Sequence, residues 1–159
     1  MHAVEAFSHR YGKEVVESRE LGEEVLLAVK APEVVMARGN AAAINEVIRN
    51  QLSKAGWALD PKVHSHFQLD INAIKNRVAL TVQTGNVTRA FYDLLKFQAM
   101  HLNDRIDAAV LVVPTHGASR ALGSNIASFT RVTKELGLFR HIITVPCWVL
   151  GIDEEEGES

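Results

Sequence analysis

Side chains able to do covalent or metal chemistry are thinly spread in this sequence. Cys147 is its one thiol and sits in the apolar run Val145-Pro146-Cys147-Trp148-Val149-Leu150. It can form no intrachain disulfide and is read as a small packed hydrophobe, so a reducing, cytoplasmic setting is expected. His64-Ser65-His66 sets two imidazoles on one face of an extended segment. Zinc needs further ligands at a compatible spacing, and none accompanies this pair, so no metal site is assigned there. No G-x-G-x-x-G, Walker, G-x-S-x-G or C-x-x-C pattern occurs, which removes the commonest nucleotide-binding, acyl-transfer and redox devices. The informative polar stretch is instead Gln68 to Tyr92, with a second polar loop after Pro114.

The chain that must position these residues has 159 residues, 47% apolar and 23% charged. That is enough for one domain with a sizeable core, and unlike a disordered or disulfide-stapled protein. The formal charge of −2 is unevenly placed. Five of the nineteen acids fall in the last seven residues, where no Lys or Arg occurs, leaving 17 basic against 14 acidic side chains in residues 1–152, a net of +3. Such a body is compatible with a nucleic-acid partner. The expected division is a folded domain over 1–152 and a disordered acidic tail over 153–159, too poor in apolar residues to fold. No basic-then-apolar leader opens the chain, and no apolar run nears the ~20 residues that cross a bilayer, so no membrane partner is expected.

Periodicity supplies the elements. His2 to Phe7 alternates as a strand, and Gly12 to Leu21 and Gly22 to Lys30 read as short helices. Asn40 is placed to cap a helix built on Ile44, Val47, Ile48 and Leu52, with Gly56 as its stop. Phe67 to Asn72 and Arg77 to Gln83 read as strands joined by a turn at Ala73 to Asn76, with Val78, Leu80 and Val82 on one face of the second. A long amphipathic helix follows from Thr88 to Leu102, then a doubly buried strand from Ile106 to Val113. After a loop from Pro114 to Gly123, Ser124 is placed to cap a helix ending near Gly137, and Ile142 to Ile152 forms the last strand. The order predicts an α/β protein, a mixed β-sheet flanked by helices.

The residues Ile74-Lys75-Asn76-Arg77-Val78-Ala79-Leu80-Thr81-Val82-Gln83, then Gly85 and Ala90-Phe91-Tyr92-Asp93-Leu94, carry a resemblance. Arg105 to Val110, Val145-Pro146 and Val149 to Ile152 continue it. The sequence resembles the type II restriction endonucleases of the BglII and BstYI group, within the PD-(D/E)xK nuclease superfamily. The resemblance implies a restriction-endonuclease-like fold, a homodimer and double-stranded DNA as partner. It also implies Mg²⁺ held by an Asp ending one strand and a Glu nine residues later, the latter opening a Glu-x-Gln triplet. With Gln83 as the triplet's end, those two positions are Asn72 and Thr81. Both carboxylates are replaced by neutral groups, which cannot supply the charge that holds Mg²⁺. Standard cleavage is therefore expected to be lost and no cofactor is expected. An alternative keeps an active Mg²⁺-dependent deoxyribonuclease in which Asp70 or Glu46 serves as a displaced ligand. A second alternative makes the fold a protein-interaction module.

DNA binding does not depend on the missing acids, since Lys, Arg and polar side chains grip phosphates and bases. The expected contacts are Lys75 and Arg77, taken to lie beside the former metal site, Asn86 and Arg89 at the start of the long helix, and Ser119, Arg120, Ser124 and Asn125 in the polar loop.

Overall fold

The computed structural model describes residues 1–31 and 33–155. Its centre is a six-stranded sheet in the order β1-β6-β5-β4-β3-β2. The strands are β1 His2–His9, β2 Ala58–Leu59, β3 Ala73–Lys75, β4 Val78–Val82, β5 Ala108–Pro114 and β6 Cys147–Asp153. Strands β4, β5 and β6 run parallel, whereas β1, β3 and β2 pair antiparallel at the two sides, which is the expected mixed sheet.

Among the described residues six helices cover it: α1 Gly12–Ser18, α2 Gly22–Ala28, α3 Ala41–Lys54, α4 Val87–Leu102, α5 His116–Leu122 and α6 Phe129–Leu138. The crossovers β4–α4–β5 and β5–α6–β6 step in one direction along the sheet, so the right-handed rule sends α4 and α6 to the same face. There Leu94, Phe97, Val132 and Leu136 pack on Ala79, Leu111 and Val149. On the other face, Val16, Val25, Ile44, Ile48 and Leu52 pack on Val78, Leu80, Val82, Val110 and Leu150. This alternation is why β5 reads as an unbroken apolar run: all seven of its residues are buried. Each such aliphatic or aromatic side chain contributes about 2 kcal/mol by leaving water.

Several boundaries differ from the sequence reading. The first hairpin strand is Ala73–Lys75 rather than 67–72, and the turn is Asn76-Arg77, both at positive φ (48° and 63°) as a two-residue hairpin of this twist requires. Asn40 holds the cap position of α3, yet its side chain donates to the Val35 carbonyl (2.9 Å) instead of capping. The stretch read as a loop after Pro114 contains α5, capped by Thr115, whose inward pair Ala118 and Leu122 is too short a pattern to register as periodic. Ser128, not Ser124, caps α6. The last strand starts at Cys147 rather than Ile142, because the backbone N–H groups of Thr144 and Val145 are taken by Gln98 Oε1 of α4 (2.8 Å each).

The ordered body also runs past residue 152. Asp153 closes β6 and accepts from Thr115 Oγ1, and Glu154 accepts the Met36 N–H at 2.6 Å. The remainder of the predicted tail, residues 156–159, lies outside the described residues. Among the described residues no helix is long and apolar enough to cross a membrane.

Candidate functional site

The hairpin register decides which polar side chains meet. Ala73 pairs with Leu80 and Ile74 with Ala79, so one step further Asn72 stands across from Thr81. The Thr81 hydroxyl accepts the Asn72 N–H at 3.4 Å, and Asn72 Oδ1 accepts the Val82 N–H at 2.7 Å. The ladder continues outward through Asp60, whose N–H donates to the Asn72 carbonyl at 2.9 Å. Thr81 is 5% exposed and Asn72 is half-buried.

Gln83, the third position, is held at both ends. Its Nε2 donates to Asp93 Oδ2 at 2.6 Å and its Oε1 accepts the Gly85 N–H at 2.9 Å. Asp93 is buried on α4, and desolvation pushes its carboxyl above the ordinary value of 3.8 against the opposing pull of Gln83 and Lys96. It is therefore a carboxyl committed to an internal amide.

Neither alternative ligand, Asp70 or Glu46, shares a hydrogen bond with this pair. Asp70 is exposed, and Lys96 Nζ holds its carbonyl rather than its carboxylate, at 3.1 Å. Glu46 is exposed on α3, while Asp60 is clamped by both guanidinium nitrogens of Arg49 (2.5 and 2.7 Å). Among the described residues no group of three or more His, Cys, Asp or Glu is arranged to hold a metal ion. An amide whose oxygen faces a backbone N–H and a buried hydroxyl do not fit Mg²⁺, which demands charged oxygen ligands in near-octahedral order. His64 Nδ1 accepts the His66 N–H at 3.1 Å, so that ring closes a local turn.

Lys75 and Arg77 are not brought beside Asn72 and Thr81. Both lie at the opposite end of the hairpin and are consumed there. Lys75 Nζ binds Glu24 and the Ala55 carbonyl at 2.7 Å each. Arg77 binds Asp104 and Asp107 and, together with Arg19, holds the Asp107 carboxyl below its usual range.

The other expected contacts do gather. The loop before α6 is laced to the loop after β4 by Val87 N to the Asn125 carbonyl (2.8 Å) and Ala127 N to the Gly85 carbonyl (2.9 Å). That pairing brings Asn125 beside Asn86, whose side chain caps α4 through the Thr88 N–H at 2.9 Å, with Arg89 exposed in the first turn. Beyond it a groove of about 870 Å³ opens between α5 and α6, lined by His116, Ser119, Arg120, Ser124, Asn125, Arg131 and Lys134 among others. Ser119 is buried and tied to the His116 carbonyl (2.7 Å), whereas Arg120, Ser124 and Asn125 are exposed. Sequence reasoning missed Arg131 and Lys134. Their signal was present in α6, where Val132 and Leu136 face inward and the intervening charged positions must face out.

A mixed six-stranded sheet in this order, with helices packed on both faces, is the restriction-endonuclease-like α/β fold. The family model for restriction endonuclease BglII/BglIII matches residues 4–152, and the chain belongs to that family. Among solved structures it is similar to restriction endonuclease BglII complexed with a DNA 16-mer, with a TM-score of 0.82, 16% identity, and coverage of 96% of this chain and 77% of that one. It is similar also to free BglII, with a TM-score of 0.75, 14% identity, and coverage of 98% and 81%. At these identities the likeness is one of fold. No curated protein matches.

Proposed function

We propose that this chain binds double-stranded DNA through the α5–α6 groove and the start of α4, and that it does not cleave by the two-carboxylate metal route of its family. The observation that carries this reading is the join between two features. The strand end that bears a neutral Asn72–Thr81 pair is hydrogen-bonded, through residues 85–87 and 125–127, to a groove with Arg120, Lys134 and the Arg131–Glu135 ion pair on its walls. A surface of that kind neutralises phosphates whether or not a metal sits beside it.

The test has two arms. Affinity for a DNA duplex, followed by fluorescence anisotropy, falls steeply with salt, and Arg120→Ala and Lys134→Ala each reduce the slope by about one counterion. The double substitution Asn72→Asp with Thr81→Glu then restores Mg²⁺-dependent cleavage of plasmid DNA. Absence of salt-dependent affinity would overturn the reading in favour of a protein-interaction module. Cleavage by the unmodified chain, lost on Asp70→Ala, would favour the displaced-ligand enzyme.

The same reading takes two copies, because a two-fold DNA site is met by a two-fold protein. Of the two longest helices, α3 and α4, α4 suits the contact better. Its outer face exposes Tyr92 and Leu95, and Leu95 lines an apolar depression together with exposed Ile142, whereas the outer face of α3 carries Glu46, Asn50, Gln51 and Lys54.

A further inference from the structure

Replacing two carboxylates does more than remove a metal site, because the hydrogen bonds around Asn72 and Thr81 fix which of their atoms are left without a partner. A backbone N–H can only donate, so the 2.7 Å contact from Val82 N identifies Asn72 Oδ1 as the acceptor and leaves the Nδ2 amide hydrogens without a partner among the described residues. The Thr81 oxygen is likewise engaged as acceptor by the Asn72 N–H, and its hydroxyl hydrogen has no acceptor among the described residues. Where a nuclease of this fold presents two acceptors that need a cation between them and phosphate, this chain presents two donors. Gln83 adds no competing charge, since both ends of its amide are spent on Asp93 and Gly85. The Asp60 carboxylate, one step along the ladder, is neutralised by Arg49.

We propose that Asn72 Nδ2 and the Thr81 hydroxyl form a metal-independent seat for a non-bridging oxygen of a DNA backbone phosphate. The polarity of the site is inverted, from acceptor–metal–phosphate to donor–phosphate. The inference rests on the DNA-binding reading above and adds to it a contact point and a loss of metal dependence.

The experiment measures duplex affinity at low salt in EDTA and again in Ca²⁺, for the unmodified chain, Asn72→Asp and Thr81→Val. Asp at position 72 can still accept from Val82 N, so the fold is retained, as thermal melting checks. The unmodified chain binds equally in both buffers. Asn72→Asp weakens binding about tenfold or more in EDTA, as expected for exchanging a donor for a charge facing phosphate, and regains much of it in Ca²⁺. Thr81→Val, isosteric and uncharged, weakens binding several-fold in both buffers. Affinities of both variants equal to the unmodified chain in EDTA would overturn the seat and leave DNA binding standing. A divalent-cation requirement in the unmodified chain would also overturn it. No affinity in either buffer would overturn both inferences together.

Discussion

At the scale of single residues, one buried carboxyl and one half-buried carboxyl respond to pH in opposite senses. Asp107, paired with Arg77 and Arg19, has its folded pKa depressed, so its contribution is present above the unfolded value and is lost as the solution is acidified through the folded one. Asp93 has its folded pKa raised by burial. The folded state therefore binds its proton more tightly than the unfolded state, and Asp93 costs stability at neutral pH, a cost relieved as pH falls through the folded pKa toward 3.8. Asp93→Asn keeps an oxygen for Gln83 Nε2 and removes the buried charge. Its melting temperature is expected to exceed that of the unmodified chain at pH 7.5 by a few degrees, about 1 kcal/mol in a chain of this size, with the gap closing by pH 4. A gap unchanged across that range would show that Asp93 is not the group responsible.

At the scale of elements, the fold depends on one unusually close approach. The first residue of α1 is Gly12, and a methyl group built there would lie 2.2 Å from the Cys147 carbonyl carbon, well inside any real contact. The neighbour is backbone at the start of a central strand and cannot swing aside. Gly12→Ala is expected to cost about 3 kcal/mol or more, read as a lowered urea midpoint at unchanged slope. Gly137, inside α6 with open space around its missing side chain, supplies the contrast. Gly137→Ala is expected to stabilise by about 0.5–1 kcal/mol through helix propensity alone. Equal effects of the two substitutions would contradict the packing argument. The long elements were legible in the sequence because their apolar residues repeat over several turns, as in α3 and α4, or run unbroken, as in β5. The ones that escaped were too short to show a period: β2 has two residues, and α5 buries Ala118 and Leu122 with Ser119 between them.

At the scale of the whole molecule, the apolar surface on α4 and beside α6 bears on assembly. Leu95 is 53% exposed and Ile142 is 64% exposed, and both line an apolar depression of about 450 Å³ with Phe91 and Phe139. If two copies meet there, sedimentation velocity at micromolar concentration shows a dimer, and Leu95→Glu with Ile142→Glu gives a monomer of nearly unchanged melting temperature, since neither side chain supports the core. A monomer before substitution would remove α4 as the contact. The sequence by itself determined the α/β class and the family, because these follow from residue identity, run length and motif spacing. It also named Ser119, Arg120, Ser124 and Asn125 of the groove's lining, the polar residues of one local stretch. Only the tertiary structure decided that Lys75 and Arg77 serve ion pairs at the far end of the hairpin, that Arg131 and Lys134 line a groove with Arg120, and that Asn72 Oδ1 accepts from Val82 N. Those facts depend on register and on which helix packs over which strand end, and such pairings join residues too far apart in the chain for spacing to reveal.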